Sequence, residues 1–173
     1  MKKTQNNYAY IDGANLHIGI KGLDWKLDYA RFRVWLTEKY NVKRAYLFIG
    51  LVPRYHVIYE YLQECGFTLV FKQTISDGEG KIKGNCDADL VLRAVCDTYE
   101  NQFEKSIIVS GDGDFASLVK FLSDRGKIRV VLAIDPKKCS ILLKQTGVKI
   151  TYLREFETML SQKEKAPDAD ETA

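Results

Sequence analysis

The chain has 173 residues, of which 46% are hydrophobic and 12% aromatic, enough for one globular domain with a substantial core. No apolar run approaches a membrane span, and MKKTQNNYAYIDG carries no signal-type stretch behind its lysines, so the expected location is cytoplasmic. The formal charge is only +3; the closing KEKAPDADETA carries −2, which leaves about +5 on the residues before it, a mild excess that does not by itself single out a polyanionic partner.

Strand-like and helix-like segments alternate along the chain. NYAYI (7–11) reads as a strand and LDYARFRVWLTEKY (27–40) as a helix, with Leu27, Ala30, Val34 and Trp35 at helical spacing and Phe32 and Leu36 less regular. RAYLFIGL (44–51) is a second strand. Pro53 suits a first helical position, and YHVIYEYLQECG stops at Gly66. TLVFKQTI (68–75) is a third strand, and the glycines of SDGEGKIKG after it suggest a hairpin or a loop over one face. NCDADLVLRAVCDTYEN (85–101) is a helix with Asn85 as its cap and Ala88, Val91, Leu92, Val95 and Tyr99 as its packed stripe.

SIIVS (106–110) is a short buried strand, DFASLVKFLSDRG (114–126) a helix ended by glycine, and IRVVLAI (128–134) another strand. PKKCSILLKQTG reads as helical, KITYL (149–153) as the last strand and REFETML as a closing helix. The polar tail from Lys163 is expected to be disordered, so the domain spans 1–162. Alternation of this kind points to an α/β fold, a parallel sheet covered on both faces by helices. The cysteines at 65, 86, 96 and 139 form no CxxC pair and only two histidines are present, which excludes a zinc knuckle and a disulfide framework; the thiols read as small buried hydrophobes.

In a parallel sheet, ligands collect at the carboxyl ends of the strands where the chain order reverses. The first strand ends in IDGAN, delivering Asp12, with Asn15 one helical turn beyond. The fourth ends in SGDGDF, delivering Asp112 and Asp114 to the same edge, while Asp87 and Asp89 open the helix that precedes it. Taken alone, Asp87 and Asp89 serve a helix dipole, and Asp114 reads equally as a cap. Asp12 and Asp112 resist that reading, because each follows a buried strand among glycines. Two carboxylates about 5 Å apart at an effective dielectric near 20 repel by roughly 3 kcal/mol, a large part of a domain's stability. Retained protons or a divalent cation must offset this, and a donor set of oxygens alone favours Mg2+ or Mn2+.

IDGAN, KGNCDADL and IIVSGDGDF together resemble the NYN domain, in the LabA-like branch of the PIN-like nuclease superfamily, over residues 8 to 156. The resemblance implies a Rossmann-like three-layer sandwich with a central, mainly parallel sheet, whose strands bring the acids together, and metal-dependent cleavage of RNA. It makes Asp12, Asp87, Asp112 and Asp114 the catalytic and metal-binding set and Asn15 and Ser110 orienting partners. Asp89 points about 200° away from Asp87 on a helix and should not share its ion. One departure is Arg93, where some relatives carry a further acid, which bears on a second metal site. RNA, single-stranded or structured, is the implied partner, with no membrane involved and a homodimer left open.

Lys21, Arg54, Lys72, Lys81, Lys83, Lys137 and Lys138 are the candidates for gripping phosphates, although most such lysines are solvated surface charges. Tyr55, Tyr59 and Tyr61, with His56, read as packing residues more than as base-stacking ones, and His17 reads as structural. An aspartyl-phosphate phosphatase would need an acid where Ala14 stands, and no histidine supports a serine or cysteine nucleophile. The remaining rival is a catalytically inert RNA- or protein-binding regulatory module on the same fold.

Overall fold

The computed structural model describes residues 5–73, 75–76, 82–83 and 86–163. Six strands form one sheet in which every neighbouring pair is parallel: β1 (Asn7–Asp12), β2 (Val42–Leu51), β3 (Thr68–Gln73), and, after the short β4 (Ile75–Ser76) and β5 (Ile82–Lys83), β6 (Ser106–Val109), β7 (Ile128–Ala133) and β8 (Ile150–Tyr152). The spatial order is β3-β2-β1-β6-β7-β8, while β4 and β5 pair antiparallel, which agrees with the first of the two readings of that segment, a hairpin or a loop. From β1 the chain proceeds outward through β2 and β3, then returns to the other side of β1 with β6. The order therefore reverses between β1 and β6, and a crevice opens at their carboxyl ends.

Among the described residues, seven helices cover the sheet: α1 (Gly13–Lys21), α2 (Tyr29–Tyr40), α3 (His56–Glu64), α4 (Asp87–Tyr99), α5 (Ala116–Asp124), α6 (Ile141–Gln145) and α7 (Glu157–Leu160). The period-2 pleat sorts the strands between two cores. Ala9, Ile11, Leu47, Ile107, Val109 and Leu132 face α1, α2 and α3, against Leu16, Phe32, Trp35, Leu36 and Leu62. Tyr8, Tyr10, Tyr46, Phe48, Ile108 and Val131 face α4, α5 and α6, against Leu90, Ala94, Leu118, Val119 and Leu143. Strands buried on both faces explain why the sequence shows continuous apolar runs there.

Several expectations shift. Hydrophobic spacing does not mark the extent of helix α1, since GANLHIGIK lacks a strong apolar stripe and holds two glycines. Gly13 is required there: a Cβ would lie 2.6 Å from the Phe48 carbonyl oxygen and would collide with the Ile49 side chain, so α1 starts tight against β2. On α2 the buried stripe is Phe32, Trp35, Leu36 and Tyr40, while Val34 is 53% exposed. On α4 it is Leu90, Ala94, Asp97 and Thr98, and Leu92 and Tyr99 stand in solvent. The reason is a buried polar network. Tyr10 donates its hydroxyl proton to Asp97 at 2.8 Å, and Arg93 binds both Asp97 and the Tyr46 hydroxyl, so α4 turns an acid inward that hydrophobic spacing would have turned outward.

Cys139 is buried as expected and Cys65 and Cys86 are partly so, but Cys96 is exposed, because it follows the inward-facing Val95 on α4. The helix expected over PKKCSILLKQTG shortens to α6, capped by Ser140, whose Oγ accepts from the Leu142 amide. REFETML divides into a 3-10 turn, Leu153–Phe156, and α7. Asn85 and the tail beyond residue 163 lie outside the described residues; Cys86 occupies the cap position of α4 and makes no side-chain capping bond. Among the described residues no helix is long and apolar enough to cross a membrane.

Candidate active site

Three chain segments meet at the β1/β6 crevice. Asp12 ends β1 and caps α1: its Oδ1 accepts from the Asn15 amide at 3.1 Å. Its Oδ2 accepts from the Ser110 hydroxyl at 3.0 Å, and the same Oγ accepts from the Asp112 amide at 3.1 Å. The Asn15 Oδ1 in turn accepts from the Gly111 amide at 2.9 Å. The ends of β1 and β6, 98 residues apart in sequence at Asp12 and Ser110, are thus fastened by side chains of the two motifs IDGAN and SGDGD. Asn15 and Ser110 carry the positioning.

Beyond β6 the chain turns through a 3-10 segment, Gly113–Phe115. Its cap is Asp112, whose Oδ1 accepts from the Asp114 amide at 3.0 Å, so Asp112 and not Asp114 takes the capping role weighed above. That turn folds Asp114 back beside Asp112, and the first turn of α4 presents Asp87 to both. Ligand oxygens of Asp87, Asp112 and Asp114 all lie within 4.8 Å of one another. Asp12 is outside that triplet. Asp12 and Asp112 both line, together with Asp87, Asn15, Ile18 and Cys86, a cleft of about 250 Å³.

Asp12 is 8% exposed, and burial raises its carboxyl pKa above the ordinary aspartate range; the charges of Asp87 and Asp112 add to the rise, while the Asn15 amide and the Ser110 hydroxyl oppose it. The Cys86 thiol, at the same cleft and unforeseen from the sequence, is pushed up by burial first and by Asp89 next, which keeps it protonated. Asp89 turns away from the triplet to Lys72, at 3.4 Å. This matches the helical geometry that separates it from Asp87.

The donor set is made of oxygens, partly buried and with one exposed member, Asp114. It fits a hard divalent cation that keeps some of its own waters, as Mg2+ and Mn2+ do, and offers no soft ligand besides a protonated thiol. Arg93 does not reach into the triplet; its guanidinium is held by Asp97 and by Tyr46, whose ring centroid lies 4.8 Å from it.

The candidate cations are dispersed. Lys72 is committed to Asp89, and the Arg54 guanidinium lies 4.9 Å from the Tyr55 ring centroid. Lys137 and Lys138 belong to the turn after β7, which packs on the site: the Ser140 amide donates to the Gly111 carbonyl at 2.9 Å. Lys21 and His17 line a mainly apolar cavity that adjoins this cleft; partial burial of the His17 imidazole holds it below its ordinary range, and Lys21 adds to this. Lys81 and the side chain of Lys83 lie outside the described residues. Of the aromatics, Tyr59 is structural, since its hydroxyl accepts from the Val52 amide and donates to the Gly50 carbonyl, whereas Tyr55 and Tyr61 are largely exposed.

The family model of the NYN domain matches residues 8–153, which takes in all four acids, Asn15 and Ser110. The chain belongs to the NYN domain family. NYN domains fall within the PIN-like superfamily; they are generally nucleases and typically depend on divalent metal. Among solved structures, a protein of unknown function from Vibrio parahaemolyticus shares the fold of this NYN domain at a TM-score of 0.74 and 23% identity, over 88% of this chain and 95% of that one. Leucoanthocyanidin reductase from Vitis vinifera, in its binary complex with NADPH, aligns at a TM-score of only 0.39 and 16% identity, over 85% of this chain and 48% of that one. No curated protein matches the sequence.

Proposed function

We propose that this NYN domain is a cytoplasmic, Mg2+- or Mn2+-dependent endoribonuclease of the LabA-like branch. The observation that carries the reading is the convergence of Asp87, Asp112 and Asp114 within 4.8 Å at the crevice between β1 and β6. A divalent ion, when bound, supplies polarisation of a phosphodiester and a lowered pKa for a water. The triplet would hold that ion. Asp12 sets the frame behind it, with both carboxylate oxygens engaged by Asn15 and Ser110, so that β6 delivers Asp112 at a fixed height against β1. Asp114, the exposed member of the triplet, would orient the attacking water, its Oδ atoms accepting the water's hydrogens. Hydrolysis then breaks the P–O3′ bond and leaves a 5′-phosphate and a 3′-hydroxyl.

A surface built only to bind RNA gains nothing from clustered carboxylates, since their charge repels phosphate. This argues against an inert regulatory module. The test is incubation of labelled single-stranded and structured RNA with the parent chain and with Asp112→Asn, with and without Mn2+. The reading requires manganese-dependent cleavage by the parent and its loss in the variant. Cleavage retained by a clean Asp112→Asn preparation would overturn the assignment, and cleavage by neither protein would favour the non-cleaving module.

A further inference from the structure

The apolar cavity beside the acid cleft serves no purpose in the chemistry described above. It measures about 480 Å³, within the ~300–1,000 Å³ typical of small-ligand pockets. Leu47 and Leu62 belong to the buried core beneath it, the first two turns of α1 supply Ala14 and His17, and Tyr55, Ile58 and Tyr59 come from the segment that follows β2. The Tyr59 ring is pinned, by its hydroxyl bonds to Val52 and Gly50 and by an edge contact with Phe71 at 4.9 Å. Tyr55 and Ile58, by contrast, are 46% and 48% exposed, an apolar lining left open to solvent.

Two observations say what covers it. First, the cavity adjoins the acid cleft, with Ala14, Ile49 and Gly50 forming the wall between them. A chain whose phosphate reaches the acids would carry its neighbouring group across that shared wall toward this cavity. Second, the cavity's charged lining is Lys21, and Arg54 stacks beside it on Tyr55, so the apolar floor is edged by positive charge while the neighbouring cleft is acidic. An aromatic, apolar slot with basic edges, next to a site for phosphate chemistry, suits a planar base joined to a polyanionic backbone.

We propose that this cavity receives one unstacked nucleobase of the RNA strand, adjoining the scissile phosphate. The inference rests on the ribonuclease reading and adds a base-binding subsite to it. A base inside a duplex is stacked on both faces and cannot enter without being extruded. Tyr55 is the ring on which the base stacks, and Ile58 packs against the base edge.

The test uses a short single-stranded RNA carrying 2-aminopurine at successive positions, titrated without metal so that the strand stays intact. One position is expected to show strong fluorescence quenching on binding. Tyr55→Ala should weaken binding by about five- to thirty-fold and abolish that quenching, while Tyr55→Phe stays within about two-fold of the parent. An abasic nucleotide at the same position should weaken the parent by a similar factor and leave Tyr55→Ala unaffected, which a merely structural role for the tyrosine would not produce. Equal binding by Tyr55→Ala and the parent, or an abasic penalty of the same size in both, would overturn the proposal. So would an equally tight complex with the fully paired duplex. Metal-dependent cleavage is scored separately on the same preparations. Cleavage without the tyrosine-base coupling removes the cavity assignment and leaves the nuclease standing; absence of both binding and cleavage removes the two together.

Discussion

Replacing Asp112 by asparagine tests the central claim through stability, without any substrate. Asparagine keeps the carbonyl oxygen that accepts from the Asp114 amide, and the Asp112 backbone amide still donates to Ser110, so the local frame survives. What disappears is one negative charge from a set whose ligand oxygens lie within 4.8 Å of one another. Each pair at that distance repels by about 3.5 kcal/mol at an effective dielectric near 20 and by about 1 kcal/mol in water. Asp112 takes part in two such pairs, but Asp114 is exposed and its contribution is screened, which brings the expected net relief to about 2 kcal/mol. For a domain of this size that is a rise in melting temperature of about 4–8 °C in EDTA. Saturating Mg2+ or Mn2+ should act the other way. At a hundred times its Kd a ligand stabilises the parent by about 2.7 kcal/mol, and the variant, lacking one of three carboxylates, should gain much less. Thermal melts of both proteins across a metal titration check this. A variant that melts no higher than the parent in EDTA, together with a parent that metal does not move, would refute the reasoning.

Ser110→Ala removes the hydroxyl that links Asp12 to the Asp112 amide; because it is buried, a loss of about 1–3 kcal/mol is expected in denaturant unfolding, with a matching fall in metal-dependent cleavage. Gly13→Ala drives a methyl into the Phe48 carbonyl and the Ile49 side chain, so a loss of about 1–3 kcal/mol or more should accompany weaker metal binding by calorimetry. The Asp12 carboxyl, raised by burial first and by Asp87 and Asp112 next, stabilises the metal-free fold in its protonated form. That contribution is complete below the ordinary aspartate value of 3.8 and is lost as pH rises through the higher folded value, so metal-free melting temperatures should decline across that window, and Asp12→Asn should flatten the decline. Pairing Lys137→Ala with Lys138→Ala should lower RNA affinity evenly across sequences and reduce the slope of log affinity against log salt by about two; an unchanged slope would remove these lysines from the phosphate path.

Much of the site was legible because its two defining motifs each combine a buried strand with an acid at its end. IIVSGDGDF cannot place Asp112 anywhere but at the carboxyl edge of β6, and IDGAN places Asp12 likewise on β1. The grouping within that edge was less legible. Asp12 is tied up by Asn15 and Ser110, and Asp114 completes the triplet through a 3-10 turn. Neither the capping role of Asp12 nor the turn that folds Asp114 back has a signature in hydrophobic spacing. The inward face of α4 was misread for a related reason. Asp97 is buried because Tyr10, on a strand far away in sequence, supplies its partner, and periodicity assigns every acid to the outside.

By itself the sequence determined the alternation of strands and helices, the doubly covered parallel sheet and the presence of acids at strand ends, since pleat and helical period are local properties written residue by residue. Only the tertiary structure decided that the chain reverses between β1 and β6, that Asp87, Asp112 and Asp114 form the tight triplet there with Asp12 lining the same cleft, and that an apolar cavity opens beside them. Those features depend on which strands become neighbours and which side chains find partners across the sheet, and such pairings are set by contacts between residues nearly a hundred positions apart, as Asp12 and Ser110 are.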